Sequence, residues 1–339
     1  MGMAGWMTVF THVDCARMRR RSMFKRGMLC VAGVASLGLV LGSSWSLSAA
    51  PRQDSRSVHV AVVNADGAAV ADLTAADFEV KEGGKAVTLT SASITNAPLR
   101  MALIVADEGT GNFQQSIVTL IKPLIALGEF KLVSVVMQPE TVVDYTSDAE
   151  RLVAGVEKMG QRAGGQPSGA QLMEAIEENL KTVAQPGKRP VVVVMRFGGA
   201  ATSQIRQEDV RETIRKTGTQ LFALSPQGGG GGGGGMPMSY GGAGGTMGQA
   251  RQDYAASEST YRSRNLESVL NDGSKQSGGR HIYFSGPTII PEIEKLAQEL
   301  QSQYQLTYTL PAGTKPSDRV QVTSKRRGTK VLAPERIAN

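Results

Sequence analysis

Cysteine is nearly absent from this chain. Only Cys15 and Cys30 occur in 339 residues, both within the first fifty. Once that segment is removed there is no disulfide, no thiolate nucleophile and no cysteine ligand for a metal. Cys30 follows Leu29 early in an apolar run, which is not the place of a lipid-attachment cysteine. Histidine is almost as scarce: beyond the first fifty residues only His59 and His281 remain, each inside an alternating strand pattern that marks a sheet-face side chain rather than a general base. No Gly-x-Ser-x-Gly elbow occurs, and the paired acids Glu177 and Glu178 sit beside Lys181 on a solvated helix face. The chain therefore reads as non-enzymatic. An excess of charge is lacking as well. The formal charge is +7, but six basic residues against one acid lie in the first fifty; the remainder carries 31 basic against 29 acidic residues, a net of +2. That excludes the electrostatic footprint of a nucleic-acid binder. There is also no uninterrupted run of about twenty apolar residues of the kind a spanning helix requires.

The first fifty residues have the layout of an export signal. The basic stretch RMRRRSMFKR precedes an apolar run from Met28 to Val40, broken by Gly33 and Gly38, and then the small-residue segment SSWSLSAA ending near Ala50. Arg20 and Arg21, followed by Ser22, Met23, Phe24 and Lys25, approximate a twin-arginine signal. The expectation is a signal peptide over residues 1–50 and an exported protein, periplasmic or extracellular, that meets the membrane only through that signal if it stays uncleaved.

Residues 51–97 form a β unit. VHVAVVNADGAAV alternates around an Asp66-Gly67 turn, FEVKEGGKAVTLTSASI alternates around Gly83-Gly84, and Thr74 serves as a short cap between them. From Leu99 the rhythm becomes strand, helix, strand. Strands are predicted at 100–106, 131–137, 190–195, 219–224 and 280–284, with a short edge strand at 141–145. ALIVA and VVVVM are continuous apolar runs without alternation, as in parallel strands covered on both faces. Helical stripes run through Phe113, Ile117, Leu120, Leu124 and Leu127, with a kink expected at Pro123; through Leu152, Val156 and Met159; through Leu172, Ile176 and Leu180; through Val210, Ile214 and Thr217; and through Ile293, Leu296, Ala297 and Leu300, starting at Pro291. The fold class is α/β: a doubly wound, mostly parallel sheet flanked by helices over 98–225 and 263–303, plus a small antiparallel β module from the N- and C-terminal segments.

Residues 226–262 are a glycine-rich insertion that loses too much backbone entropy on ordering to pack, so they read as a flexible excursion. Its Met236, Met238 and Met247 have no His or Cys nearby to complete a soft-metal site. In residues 304–339, YQLTYTL alternates and DRVQVTSKRRGTKVLA reads as a hairpin turning at Gly328. These strands are expected to pair with the N-terminal β unit.

The motifs at both ends resemble the VWFA-related domain family of acidobacterial type, a secreted branch of the von Willebrand factor A fold. The opening match is Asp66-Gly67, Leu73-Thr74, Asp77-Phe78, Val80, Glu82 and Gly84; the closing match is Gly278-Gly279-Arg280, Glu299-Leu300, Gln303-Tyr304, Leu306 and Tyr308. The resemblance covers about residues 57–333. It implies a Rossmann-like domain that recognises other proteins, often through Mg²⁺ held by an Asp-x-Ser-x-Ser loop, a threonine and an aspartate. Mg²⁺ needs hard oxygen ligands in octahedral geometry. Here Asp107 matches the first aspartate, but the serine positions are Gly109 and Gly111, with Thr110 between them. In the second loop Gln166 stands where threonine would and Ser168 is the nearest hydroxyl; in the third loop Arg196 and Phe197 replace the threonine and the acid. The resemblance thus implies a degenerate metal-ion-dependent adhesion site whose remnant is Asp107 and Ser168, without a bound cofactor.

Asp107 has a simpler role open to it as well, accepting hydrogen bonds from the start of the next helix or pairing with Arg196. A dinucleotide site is a poorer reading of Gly109-Thr110-Gly111, because Gln114 replaces the third glycine. The functional expectation is a metal-independent module that binds or scaffolds another protein outside the cytoplasm, with Glu108, Thr110, Arg196 and Phe197 along a partner-binding edge. Its alternative is a Mg²⁺-dependent adhesion module with an atypical site at Asp107, where Glu108 adds an oxygen.

Overall fold

The computed structural model describes residues 55–107, 113–136, 138–162, 171–197, 203–227, 261–311 and 313–337. All of these lie in the compact unit Pro51–Asn339. The predicted export signal and most of the glycine-rich insertion fall outside the described residues.

Six strands make the central sheet: β5 (Leu99–Ala106), β6 (Gly128–Val135), β7 (Pro139–Thr146), β8 (Arg189–Arg196), β9 (Gln220–Pro226) and β10 (His281–Phe284). Their order is β10-β9-β8-β5-β6-β7. All neighbours run parallel except β7, which pairs antiparallel with β6 at one edge. Every residue of β5 is buried, as its unbroken apolar run requires, since helices cover both faces. Met101, Leu103 and Val105 face a layer made by α1 (Phe113–Ile121), α2 (Ala149–Arg162) and α6 (Ile289–Gln301). Ala102, Ile104, Val192 and Val194 face α3 (Leu172–Val183), α4 (Gln207–Thr217) and a helix α5 spanning residues 261–276. The sheet is therefore doubly wound. Its strand order reverses between β5 and β8, which puts the crevice of an open α/β sheet at their carboxyl ends.

The remaining strands are β1 (Ser55–Asn64), β2 (Phe78–Glu82), β3 (Lys85–Ala86), β4 (Thr88–Ile94), β11 (Tyr304–Thr309), β12 (Val320–Ser324) and β13 (Thr329–Leu332). They form two antiparallel sheets, β13-β1-β11-β4 and β12-β2-β3. Val58, Val60, Tyr304, Leu306 and Tyr308 of the first and Phe78, Val80, Val320 and Val322 of the second share one core. The N- and C-terminal segments do pair, with β1 lying between β11 and β13. β4 leads into the start of β5, and α6 hands the chain back to β11, so this β module sits at the amino ends of the parallel strands, away from the crevice.

Four details differ from the sequence expectations. The C-terminal hairpin is not a ladder: Gly328 makes its turn with φ 74°, but β12 then pairs with β2 while β13 pairs with β1. The turn is a corner between two sheets, because Val320 and Val322 complete one wall of the core while β13 closes the edge beside β1. α1 ends at Ile121 instead of kinking at Pro123, and a 3₁₀ turn at Ile125–Leu127 follows. Proline cannot donate the next helical bond, and Leu124 is buried from the new direction. α6 begins at Ile289, two residues before Pro291, after a 3₁₀ turn over Gly286–Thr288 that is closed by Ser285 and Thr288. α5 was not expected at all. Its apolar stripe of Leu266, Val269 and Leu270 continues at Gly273, whose missing side chain leaves room for Ile214 and hides the periodicity. A π-helical turn at Val269–Gly273 shifts the register further.

Candidate functional site

Asp107 is the residue after β5, where the apolar run ends. Ala106 and Arg196 are register partners, and the Phe197 N–H donates to the Ala106 carbonyl at 2.8 Å, so the ladder continues one step past the strand and places Asp107 and Phe197 at the crevice. Asp107 is 5% exposed. Arg196 is buried and sends Nη1 to Glu267 Oε1 on α5 at 2.7 Å. Phe197, one residue on and hence on the opposite face, sets its ring 5.8 Å from that of Phe284 and packs against the core beneath α1 and α6. The structure thus brings Asp107, Arg196 and Phe197 together. Glu108, Thr110, Gln166 and Ser168 lie outside the described residues.

As a set of metal donors these groups fit Mg²⁺ poorly. One carboxylate is present, and Arg196 and Phe197 at the end of β8 offer no hard oxygen to complete a set. Among the described residues no cluster of three or more His, Cys, Asp or Glu side chains could hold a metal ion. Among the same residues no helix is long and apolar enough to cross a membrane.

Sequence reasoning missed a polar chain along the same end of the sheet. On β10, His281 Nδ1 lies 2.9 Å from Asn271 Oδ1, and His281 Nε2 lies 3.0 Å from Ser225 Oγ on β9. Tyr283 donates its hydroxyl to the same Asn271 oxygen at 3.1 Å, and its ring lies 4.2 Å from that of His281. Since Asn271 Oδ1 only accepts, Nδ1 carries the imidazole proton and Nε2 accepts from the serine. Burial, with the charge of Arg196 adding to it, lowers the His281 pKa to about 4. The imidazole is therefore neutral near pH 7. A hydroxyl, imidazole and amide in this order have the geometry of a nucleophile, its base and an orienting group. However, Ser225 is 4% exposed, and Pro226 after it has no N–H to offer a developing oxyanion. What the chain does is fix the edge strand and hold Tyr283, which is 50% exposed, in one orientation. Only the His281-x-Tyr283 alternation was visible in the sequence; Asn271 belongs to the helix that was not expected.

No family model and no curated protein matches the chain. Similar solved structures include the proximal thread matrix protein 1 of the mussel byssus, in a form with a zinc-occupied MIDAS motif, at 12% identity over 60% of this chain and 48% of that one, with a TM-score of 0.39. The chain thus spans about half the length of the mussel protein. The SpRpn10 VWA domain matches at 8% identity over 57% of this chain and 93% of that one, TM-score 0.34. An aerotolerance-related membrane protein from Bacteroides fragilis matches at 14% identity over 59% and 98%, TM-score 0.38.

Proposed function

We propose that this chain is an exported, non-enzymatic module of von Willebrand A-like type that binds or scaffolds another protein, and that it does so without a divalent cation. The observation that carries the reading is the end of β8, where Arg196 and Phe197 stand in place of a threonine and an acid and Arg196 is anchored by Glu267. Neither side chain offers a hard oxygen to a cation, which leaves recognition to side chains and backbone. Support for the module comes from the place of Asp107 at the reversal of the strand order and from the terminal motifs, which meet in one β module. The basic, apolar and small-residue pattern of residues 1–50 supports export. On the partner-facing side, Tyr283 offers an aromatic surface held by Asn271 and lying against the His281 ring.

A second reading, a Mg²⁺-dependent adhesion module using Asp107 with Glu108 and Ser168, draws on the presence of an acid at the carboxyl end of β5. Calorimetric titration with Mg²⁺ and Mn²⁺ separates the two. The expected outcome is no saturable heat. Saturable binding that Asp107→Ala abolishes would reject the metal-free reading.

A further inference from the structure

At the opposite end of the sheet, Arg189 opens β8 and is 3% exposed. Its guanidinium donates from Nε to the Ala97 carbonyl at 2.9 Å, and from Nη1 to the Leu300 carbonyl at 2.9 Å and to Gln303 Oε1 at 2.8 Å. All three acceptors are neutral, and among the described residues no carboxylate pairs with this charge. Burial alone pulls its pKa down to about 10. A buried charge without a counter-charge is expensive.

The hydrogen bonds fix what the neighbouring amides can still do. Arginine only donates, so the Gln303 atom that meets it is the oxygen, and the Gln303 nitrogen must point the other way. That nitrogen donates to Gln220 Oε1 at 2.7 Å. The group left over on Gln220 is therefore its NH₂. Gln220 is 6% exposed, and its Nε2 is buried without a hydrogen-bond partner. His59 on β1 is in the same condition: Nε2 is buried and unpartnered. Burial, and then the charge of Arg189, hold its pKa at about 4, so the ring is neutral with one N–H to give. Buried donors rarely lack acceptors, and each costs about 1–3 kcal/mol when it does.

Arg189, Gln220 and His59 all line one cavity of about 190 Å³ between the β module and the parallel sheet. Arg336, on its rim, is neutralised by an ion pair with Asp318. The cavity wall thus holds one positive charge without a counter-charge, and two of its residues carry a buried nitrogen without a partner. It shares Gly218, Pro334 and Arg336 with a neighbouring cavity of about 340 Å³ walled by Arg211, Arg215, Glu208 and Glu335, so a larger ligand would extend along polar side chains.

We propose that this cavity binds a small organic carboxylate, with Arg189 balancing its single charge and with Gln220 Nε2 and His59 Nε2, the latter as the Nε2–H tautomer, turning to donate to its oxygens. One charge and three donor groups favour a monoanion over a phosphate dianion. The site is independent of the crevice and of what the crevice recognises.

The test is a thermal-shift and calorimetric titration of the full chain with acetate, lactate and propionate, against chloride, sulfate and inorganic phosphate at matched ionic strength. A saturable stabilisation by at least one of the three carboxylates is expected, weakened about tenfold or more in Gln220→Leu and in His59→Phe through loss of one charge-assisted hydrogen bond each. Gln220→Glu keeps the shape and puts a carboxylate beside the cavity. It is expected to raise the melting temperature without ligand and to abolish binding. No saturable response to any carboxylate, an equal response in Gln220→Leu, or a stronger response to phosphate or sulfate than to every carboxylate overturns the proposal.

Discussion

Glu299 is a fully buried carboxylate. It is 0% exposed and accepts from Arg280 Nε at 2.9 Å, yet Glu299 Oε1 and Arg280 Nη2 are both buried without partners. Desolvation outweighs the attraction of Arg280 and raises its pKa from 4.5 to about 7. A raised folded-state pKa means that the native chain keeps the proton over a range where the unfolded chain has lost it. The contribution is fully present below the unfolded value and is lost as pH rises through about 7. His59 and His281 slope the other way. Both are held at about 4, so the native state cannot take up protons that the unfolded state binds, and stability falls as pH drops from about 6.5 towards 4. Glu299→Gln removes the first slope only. In this variant the urea midpoint at about pH 8 should rise relative to that at about pH 5, compared with the parent, because only the histidine slope remains across that range. An unchanged difference between the two pH values would mean that Glu299 does not titrate in this range.

At the scale of elements, the joint between β9 and the C-terminal tail depends on Gly278 and Gly279. Gly278 has φ 79°, and a Cβ there would meet Pro334 N at 2.6 Å; a Cβ on Gly279 would lie 2.0 Å from the Leu221 carbonyl oxygen. Both obstacles are backbone, so neither can swing aside. This gives a steric reason for the Gly-Gly-Arg signature: two strands must pass close enough for Ser277 Oγ to accept from the Leu221 N–H at 2.8 Å, with Arg280 then delivered to Glu299. Gly279→Ala should destabilise by on the order of 3 kcal/mol or more. Gly286→Ala has nothing within 4 Å of the new methyl and should stay within about 0.5 kcal/mol. Urea titration of the pair checks both; similar midpoints would contradict the steric account. Strands β5, β6, β8 and β9 were legible as elements because burial on both faces leaves a largely continuous apolar run, and β10 by the alternation of an edge strand. α5 was not, because a glycine occupies one position of its stripe and a π turn displaces the rest.

For the molecule as a whole, β1 is the member that closes the β module, since it carries β11 on one side and β13 on the other. Glu82 on β2 ties the same module together: it accepts from Arg56 on β1 at 2.7 Å, from Tyr308 on β11 at 2.6 Å and from the Ser317 N–H at 2.7 Å. Removing residues 51–97 should therefore strip β11, β12 and β13 of partners and open residues 304–337 to protease under conditions where the intact chain resists. Equal resistance of that segment in both chains would show that the C-terminal strands stand without the N-terminal ones.

The candidate sites divide along the same line. Asp107, Arg196 and Phe197 could be placed from the sequence because each ends a strand whose apolar run announces it, and neighbouring parallel strands bring such ends to one crevice. The carboxylate cavity could not. Its donors come from β1, β8 and β9, with Gln303 as the relay, and nothing local to any of these residues marks them as a group. The amino-acid order alone settles where each run changes period, which faces are apolar and therefore that a doubly wound sheet and an antiparallel module must form, because those properties depend on near neighbours along the chain. Which polar groups find partners and which are left buried without one depends on residues as far apart in the chain as Gln303 is from Gln220 and Arg189, 83 and 114 positions. Only the assembled molecule fixes those distances.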